Sequence, residues 1–195
     1  MLEIQYLYIL KKNKFIRSFI LFFFLILFIS CTKIPVDRKW QNIETVRVNR
    51  HRLRVGDIII KNKLIKDPLG WYGHSAMVVK PNIIGDYPEI GVGYYEIDTY
   101  SWLYEDRKVM VFRYKNFDEK FKKIFVENLK KHTDKGYLIS NKKNTNSFYC
   151  SKYIWYIYYI TAKQLGYKLD LDSDGGFIVF PYDLIKSEKL EQIIF

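Results

Sequence analysis

The chain has 195 residues, a length that fits one domain of ordinary size. Hydrophobic residues make up 49% and aromatic residues 18%, which argues against a chain too polar to fold and predicts an aromatic-rich core. The formal net charge of +11 is compatible with nucleic acid, an anionic membrane or an acidic polymer as a partner, so charge alone does not choose among them.

Residues 1–30 have the pattern of an export signal. A basic region is followed by the uncharged, almost wholly apolar run Ser18–Ser30, whose 13 residues fit a signal-peptide core and fall short of the roughly 20 needed to span a membrane. Phe28–Cys31 is similar to a bacterial lipobox, with Cys31 as the residue that would carry the lipid. The alternative is a short uncleaved anchor. The basic residues are Lys11, Lys12, Lys14 and Arg17.

Both alternatives predict that the rest of the chain lies outside the cytoplasm, in the bacterial cell envelope. Export disfavours nucleic acid as a partner, and most of the positive charge lies beyond the signal, where it suits anionic lipid headgroups or cell-wall polymers. A lipid chain combined with a basic surface gives stable membrane attachment. The chain has two cysteines, so lipidation of Cys31 would leave Cys150 as an unpaired thiol that needs an explanation.

The strand and helix patterns predict one α+β domain over residues 53–195, after a tether and lead-in over 31–52. Short β-branched and aromatic runs beside turn residues predict strands, and apolar residues at spacings of three and four predict two long helices. No internal repeat or domain boundary is visible. The predicted strands are 55–60, 73–79, 92–99, 109–114 and 177–180; the helices are 118–132, 150–165 and a short turn or helix from 181, and the stretch 81–91 is predicted to be a loop.

Cys150 is predicted to lie in the first turn of the second helix. Ile154, Ile157 and Thr161 share its face, and Gly166 follows as a stop signal. The unpaired N–H groups and positive dipole at a helix N-terminus favour a thiolate. The alternative is a small buried residue beneath an aromatic helix, since free cysteine is often buried.

A histidine and a carboxylate on neighbouring predicted strands complete a possible catalytic set. His74 follows Gly73 at the start of one strand, and Glu96 lies in the next. Cross-strand neighbours lie about 5 Å apart, so the two side chains can meet, and a helix packed on that face can bring Cys150 to them. Each residue also has an ordinary interpretation, a structural histidine and a surface charge.

These motifs, in this order, resemble the circularly permuted branch of the NlpC/P60 papain-like superfamily, the YiiX/YaeF-like amidase group. The resemblance covers about residues 53–190 and includes an opening Gly-Asp strand, a Gly-His strand, a strand with an acidic third residue and a Tyr-Cys-Ser nucleophile motif. Lys152 departs from it, because the family often has glutamate there. The matching segments are 53–58, 73–79, 95–97, 109–114, 136–137, 149–151 and 180–184.

The resemblance implies a papain-like fold and a thiol hydrolase. Cys150 would attack a carbonyl carbon, His74 would hold and return the proton, and Glu96 would orient the imidazole. Helix N–H groups and the Tyr137 hydroxyl would stabilise the oxyanion. No cofactor or metal is implied. The substrate would be a cell-wall peptide or an acyl lipid, and hydrolysis and acyl transfer both remain open.

The acidic run after the second helix has a faint similarity to a calcium loop. Asp170, Asp172, Asp174 and Gly175 are spaced as in such loops, but the twelfth position from Asp170 is Pro181 instead of glutamate. We interpret the run as a plain acidic loop.

Two further hypotheses compete with the enzyme. One is a binding lipoprotein that keeps the fold and has lost catalysis, which the presence of all three candidate catalytic side chains disfavours. The other is a nucleic-acid binder, which only the charge supports.

Overall fold

The computed structural model describes residues 34–64 and 68–195. The predicted signal peptide and Cys31 lie outside these residues. The strands are β1 (Gln41–Asn42), β2 (Ile58–Lys61), β3 (His74–Lys80), β4 (Ile83–Asp86), β5 (Tyr95–Asp98), β6 (Lys108–Tyr114), β7 (Gly136–Tyr137), β8 (Ser147–Phe148) and β9 (Leu190–Ile193). The helices are α1 (Ile43–Val48), α2 (Thr99–Trp102), α3 (Glu119–Lys131), α4 (Cys150–Gln164) and α5 (Pro181–Lys186), with 3-10 turns at Arg50–Arg52 and Pro68–Tyr72.

An antiparallel sheet forms the middle of the domain. Its strand order is β1-β6-β2-β3-β4-β5, and β9 also pairs with β6. Strands β7 and β8 form a separate parallel pair just before α4. The prediction of an α+β domain with an antiparallel sheet packed against helices is therefore confirmed.

Each face of the sheet packs against helices, because alternate strand residues point to opposite sides. Ile58, Met77 and Phe112 face α3 and α4, and their neighbours Ile59 and Val111 join the smaller core that contains residues of α1 and α2. The larger core is rich in aromatic rings, as the composition predicts. Its buried rings include Tyr87, Phe112, Phe121, Phe125, Phe148, Tyr153 and Tyr158.

The Gly56-Asp57 pair directly before β2 has a structural role. The Asp57 carboxylate is fully buried and accepts two hydrogen bonds of 2.8 Å from the Arg113 guanidinium of β6. It also accepts one from the Arg54 backbone N–H. Burying a charge is costly unless it is paired in this way. The Asp57–Arg113 ion pair therefore holds the residues just before β2 against β6.

The structure corrects three of the sequence predictions about the fold. The stretch 81–91 is not wholly a loop, because Pro81 and Asn82 turn the chain directly from β3 into β4, with Asn82 at φ +61°. The segment 177–180 is not a strand: the backbone of Val179 is hydrogen-bonded by the Tyr149 and Ser151 side chains instead of a neighbouring strand.

The third correction concerns the start of the domain. The compact unit spans Ile34–Phe195, so the predicted boundary at residue 53 lies too far along the chain. Strand β1 pairs with β6, and Ile43 and Val46 of α1 are buried in the smaller core. Within the described residues, no helix combines the length and apolarity required to span a membrane.

Candidate active site

Cys150 is the first residue of α4, as the sequence predicts. The preceding residue, Tyr149, is extended and its side chain does not cap the helix. Cys150 is partly exposed as a residue. The Ser75 backbone N–H also hydrogen-bonds the sulfur of Cys150. The sulfur therefore lies where backbone N–H groups and the helix dipole both favour its negative form.

His74 is the first residue of β3 and hydrogen-bonds the Cys150 side chain. Gly73, directly before it, has φ +77°, and a Cβ there would lie 2.9 Å from the Lys61 carbonyl oxygen and 3.0 Å from the Tyr182 ring. Only glycine fits both this left-handed conformation and this contact without strain. Gly73 therefore fixes the backbone position at which β3 begins, and with it the position of the His74 side chain.

The carboxylate that is hydrogen-bonded to the His74 imidazole belongs to Asp86, so the predicted pairing of His74 with Glu96 is wrong. The Asp86 Oδ2 atom lies 2.8 Å from Nε2 of His74, which leaves Nδ1 for the thiol. Asp86 ends β4, the strand that separates β3 from β5. Extending the pairing of Met77 with Gly85 by one residue puts Asp86 opposite Ala76, two residues from His74 and on the same face.

Glu96 lies one strand further away. It pairs with Gly85 in β4, and its carboxylate lies 2.5 Å from the Lys80 ammonium and 3.3 Å from the Tyr94 hydroxyl. The Glu96 side chain keeps 34% of its surface exposed. It therefore forms a surface ion pair, and an intervening strand keeps it from the imidazole.

Trp102 supports Asp86 in a way that sequence reasoning missed. Its indole Nε1–H donates a 2.8 Å hydrogen bond to the same Oδ2 atom, and its ring centroid lies 5.9 Å from that of His74. Behind the indole, the ammonium of buried Lys61 lies 3.8 Å from the ring centroid and bonds the Trp102 carbonyl. The buried Asp86 carboxylate thus accepts hydrogen bonds from both the His74 imidazole and the Trp102 indole.

Burial and charge determine the ionisation of the pair. Burial alone would lower the pKa of His74, but the charge and hydrogen bond of Asp86, aided by Cys150, outweigh it and raise this pKa to about 10. Burial would raise the pKa of Cys150, yet its hydrogen bond to His74 and the imidazolium charge lower it. Both directions favour a thiolate–imidazolium pair at neutral pH.

The thiol opens into a cleft of about 420 Å³. Tyr137 lies in its wall, and burial together with the negative charge of Cys150 raises the pKa of the Tyr137 hydroxyl, so this group stays a neutral O–H donor. Glu89 lines the cleft as an acidic group. The apolar walls include Tyr72, Pro88, Ile90, Ile139, Tyr149, Ile178 and Phe180.

Lys152, which departs from the resemblance seen in the sequence, does not line the cleft. Its side chain is completely buried and burial lowers its pKa to about 8. The ammonium donates to the Ser140 hydroxyl at 2.8 Å, the Ser147 carbonyl at 2.9 Å and the Asn144 carbonyl. Lys152 therefore holds the loop that leads into α4.

The site residues expected from sequence thus have different outcomes. Cys150, His74 and Tyr137 line one cleft, Glu96 does not, and Cys31 lies outside the described residues. The turn residues Pro81 and Asn82 were the available signal for β4, because proline followed by asparagine favours a tight turn with positive φ at the second residue.

Comparison with known proteins supports the fold. No family model matches the sequence, and no curated protein matches it. A solved structure that is similar is that of YiiX from Escherichia coli O157:H7, which is described as a metalloprotein. The two share 15% sequence identity with a TM-score of 0.56, over 73% of this chain and 97% of YiiX. The chain is therefore an α+β protein with a YiiX-like fold, as the motif order predicts.

Proposed function

We propose that the protein is a papain-like cysteine hydrolase or acyltransferase of the circularly permuted NlpC/P60 type, acting on an amide or ester bond. The observation that carries the proposal is that Cys150 and His74 lie side by side in one cleft, with buried Asp86 hydrogen-bonded to the imidazole. The histidine strand precedes the cysteine helix, which supports the permuted order. Asp86 takes the orienting role first assigned to Glu96.

In the first step, the Cys150 thiolate forms a bond to the carbonyl carbon of the substrate. The charge that develops on the carbonyl oxygen would be stabilised by the N-terminal N–H groups of α4 and the Tyr137 hydroxyl. As the carbon–nitrogen or carbon–oxygen bond breaks, the leaving group takes the proton from Nδ1 of His74. An acyl thioester on Cys150 remains.

In the second step, water or another acceptor attacks the thioester. Nδ1 of His74 takes the proton of the acceptor, the carbon–sulfur bond breaks, and the thiolate–imidazolium pair is restored. Throughout, Asp86 holds the imidazole through Nε2 and stabilises its charged form, and the Trp102 indole fixes the position of the carboxylate.

The description of YiiX as a metalloprotein raises metal-dependent chemistry as an alternative. In the described part of the chain, the acidic, histidine and cysteine side chains whose ligand atoms converge are Asp172, Asp174 and Asp183, and none of them lines the cleft. Cys150, His74 and Asp86 are linked in series instead of around one point, which favours the thiol reaction.

The substrate classes that we propose are acyl lipids and cell-wall peptides. The apolar walls around the thiol favour an acyl chain, and the net positive charge of the chain suits anionic lipid headgroups or wall polymers. The experiment is incubation of the protein with phospholipids and, separately, with peptidoglycan fragments, using Cys150→Ala as the control. Product formation and a Cys150 acyl adduct seen by mass spectrometry in one arm would identify the bond.

Product at the same rate from Cys150→Ala would refute the enzyme. Binding of either substrate by the wild type, with no product and no adduct in either arm, would instead favour the binding lipoprotein.

We also propose that the protein is anchored in the cell envelope by lipid on Cys31, a proposal that rests on the sequence pattern of residues 1–31. Incorporation of labelled palmitate by the full chain in bacterial cells, lost in Cys31→Ala, is the expected result. Incorporation that survives this substitution would refute the lipid anchor.

A further inference from the structure

Three carboxylates converge on the side of the domain next to the nucleophile helix. Oxygen atoms of Asp172, Asp174 and Asp183 all lie within 4.8 Å of one another. The first two belong to the acidic loop after α4, and Asp183 lies in the first turn of α5. Counted from Asp170, the twelfth position is Pro181, where a calcium loop would have its last carboxylate ligand. Asp183, two residues further on, supplies a carboxylate from the first turn of α5 instead.

Asp183 provides an independent observation that points to a ligand. Its side chain is completely buried, and one oxygen, Oδ2, accepts a 2.8 Å hydrogen bond from the Phe180 backbone N–H. The other oxygen, Oδ1, is buried and accepts no hydrogen bond from any described residue. The Lys186 ammonium is 4.0 Å from it, beyond hydrogen-bond distance. A buried carboxylate oxygen without a hydrogen bond is costly, and a bound cation would reduce that cost.

The acidic loop has the backbone form that suits a cation. The side chains of Asp170, Asp172 and Asp174 each accept a hydrogen bond from the N–H two residues ahead, at 2.9, 3.4 and 2.9 Å. Gly175, at the sixth position, has φ +71°, where calcium loops use glycine for a sharp turn. The Asp170 side chain also accepts from the Trp155 indole, which ties the loop to α4.

The charges around the cluster are not balanced. Lys142 forms an ion pair with Asp172, and Lys186 approaches Asp183, so two ammonium groups face three carboxylates. Burial, together with the charges of Asp174 and Asp172, raises the pKa of Asp183 to about 6. Burial and the neighbouring Asp174 also raise the pKa of Asp172.

We propose that Asp172, Asp174 and Asp183 bind a divalent cation of the calcium class. The donor set consists only of carboxylate oxygens, which suits a hard cation, and it contains none of the sulfur or nitrogen ligands that zinc prefers. Asp172 would share its two oxygens between the cation and Lys142. Asp183 would use the oxygen that has no hydrogen bond.

Such a cation would restrain one wall of the cleft. The segment 177–180 connects the acidic loop to α5, and Ile178 and Phe180 line the cleft. Between them, the Val179 backbone N–H donates to the Tyr149 hydroxyl at 2.9 Å and its carbonyl accepts from the Ser151 hydroxyl at 2.7 Å. Both partners flank Cys150, so a few hydrogen-bonded residues connect the proposed cation site to the thiol.

The test uses the full chain after treatment with EDTA and desalting, with no substrate, so its outcome is independent of the proposed hydrolase. Titration calorimetry with CaCl2, MgCl2 and ZnCl2, and thermal unfolding with each salt, measure binding. About one equivalent of Ca²⁺ and a raised Tm are expected, both reversed by EDTA. No Ca²⁺ binding and no Tm shift, or binding of Zn²⁺ alone, would overturn the proposal.

Two variants and a matched control locate the site. Asp174→Asn changes an exposed loop residue, and Asp183→Asn keeps the shape and the acceptor for Phe180; each should weaken Ca²⁺ binding at least about tenfold. Glu188→Gln makes the same change of charge at an exposed position outside the cluster and should bind Ca²⁺ like the wild type. Equal Ca²⁺ affinity in all four proteins would overturn the assignment of these residues.

Discussion

Two carboxylates on adjacent strands illustrate what makes a side chain part of this site. Asp86, at the end of β4, is 1% exposed and bonds both His74 and Trp102 at 2.8 Å. Glu96, on β5, is 34% exposed and pairs with Lys80 at the surface. The two lie one strand apart, yet the first raises the pKa of an imidazole and the second forms an ion pair that water and salt screen. Strand order and burial, more than residue type, distinguish their functions.

Replacement of the buried carboxylate should have the largest effect. Asp86→Asn keeps the shape but removes the charge that raises the pKa of His74 and orients its ring, so we expect kcat/KM on the substrate that the wild type turns over to fall about 100-fold to 10,000-fold. Steady-state kinetics measure this, with circular dichroism to establish that the variant is folded. A folded Asp86→Asn protein with wild-type kcat/KM would contradict the role of this residue.

The pH dependence of stability should also reveal the pairing of His74 with Asp86. The pKa of His74 is raised from its ordinary 6.5 to about 10 in the folded protein, so its stabilising contribution is complete below pH 6.5 and is lost as the pH rises towards 10. Because the Cys150 thiol titrates together with His74, both proteins in this comparison carry Cys150→Ala. We expect the free energy of unfolding of Cys150→Ala to exceed that of Cys150→Ala/His74→Gln by a few kcal/mol at about pH 6 and by less at about pH 9.5, since Asp86 is the main cause of the raised pKa. Urea unfolding at both pH values measures the difference. A difference that grows with pH would have the wrong sign.

Removal of the indole hydrogen bond should have a smaller effect. Trp102→Phe keeps an aromatic ring near His74 but removes the N–H that donates to Asp86. A hydrogen bond to a charged group contributes about 1.5–3 kcal/mol, so we expect kcat/KM to fall about tenfold or somewhat more. The same kinetic assay, with thermal unfolding as a check on packing, provides the measurement. An effect as large as that of Asp86→Asn would mean that Trp102 does more than position the carboxylate.

The smallest effect should come from the surface pair. Glu96→Gln removes the ion pair with Lys80, and such pairs contribute about 0–1 kcal/mol. We expect kcat/KM within about twofold of the wild type and a free energy of unfolding lower by at most about 1 kcal/mol. A loss of activity comparable to that of Asp86→Asn would reverse the comparison between the two carboxylates.

Local patterns in the sequence could predict several features of the fold and the site. Apolar spacing and Gly166 predict the α4 helix with Cys150 in its first turn, and Gly73 marks the start of β3 before His74. The cap of α3 was also predictable, because the Asp118 side chain accepts from the Phe121 N–H. In each case a few adjacent residues determine the backbone.

The remaining features depend on contacts between distant segments. The partner of His74 depends on β4, which inserts between β3 and β5 after a two-residue turn that looks in the sequence like the start of a loop. Segment 177–180 has the composition of a strand, but side chains from α4 and the residue before it satisfy the Val179 backbone groups. Neither outcome can be deduced from residue type or spacing alone.

The most direct test of the central claim is the pH profile of Cys150 alkylation. Iodoacetamide labels the thiolate, so the lowered pKa of Cys150 predicts labelling that persists into mildly acidic pH in the wild type and in Glu96→Gln. Cys150→Ala measures the background from Cys31. In His74→Ala, labelling should shift to the alkaline range of an ordinary thiol. Superimposable profiles for the wild type and His74→Ala would contradict the thiolate–imidazolium pair that the proposed reaction requires.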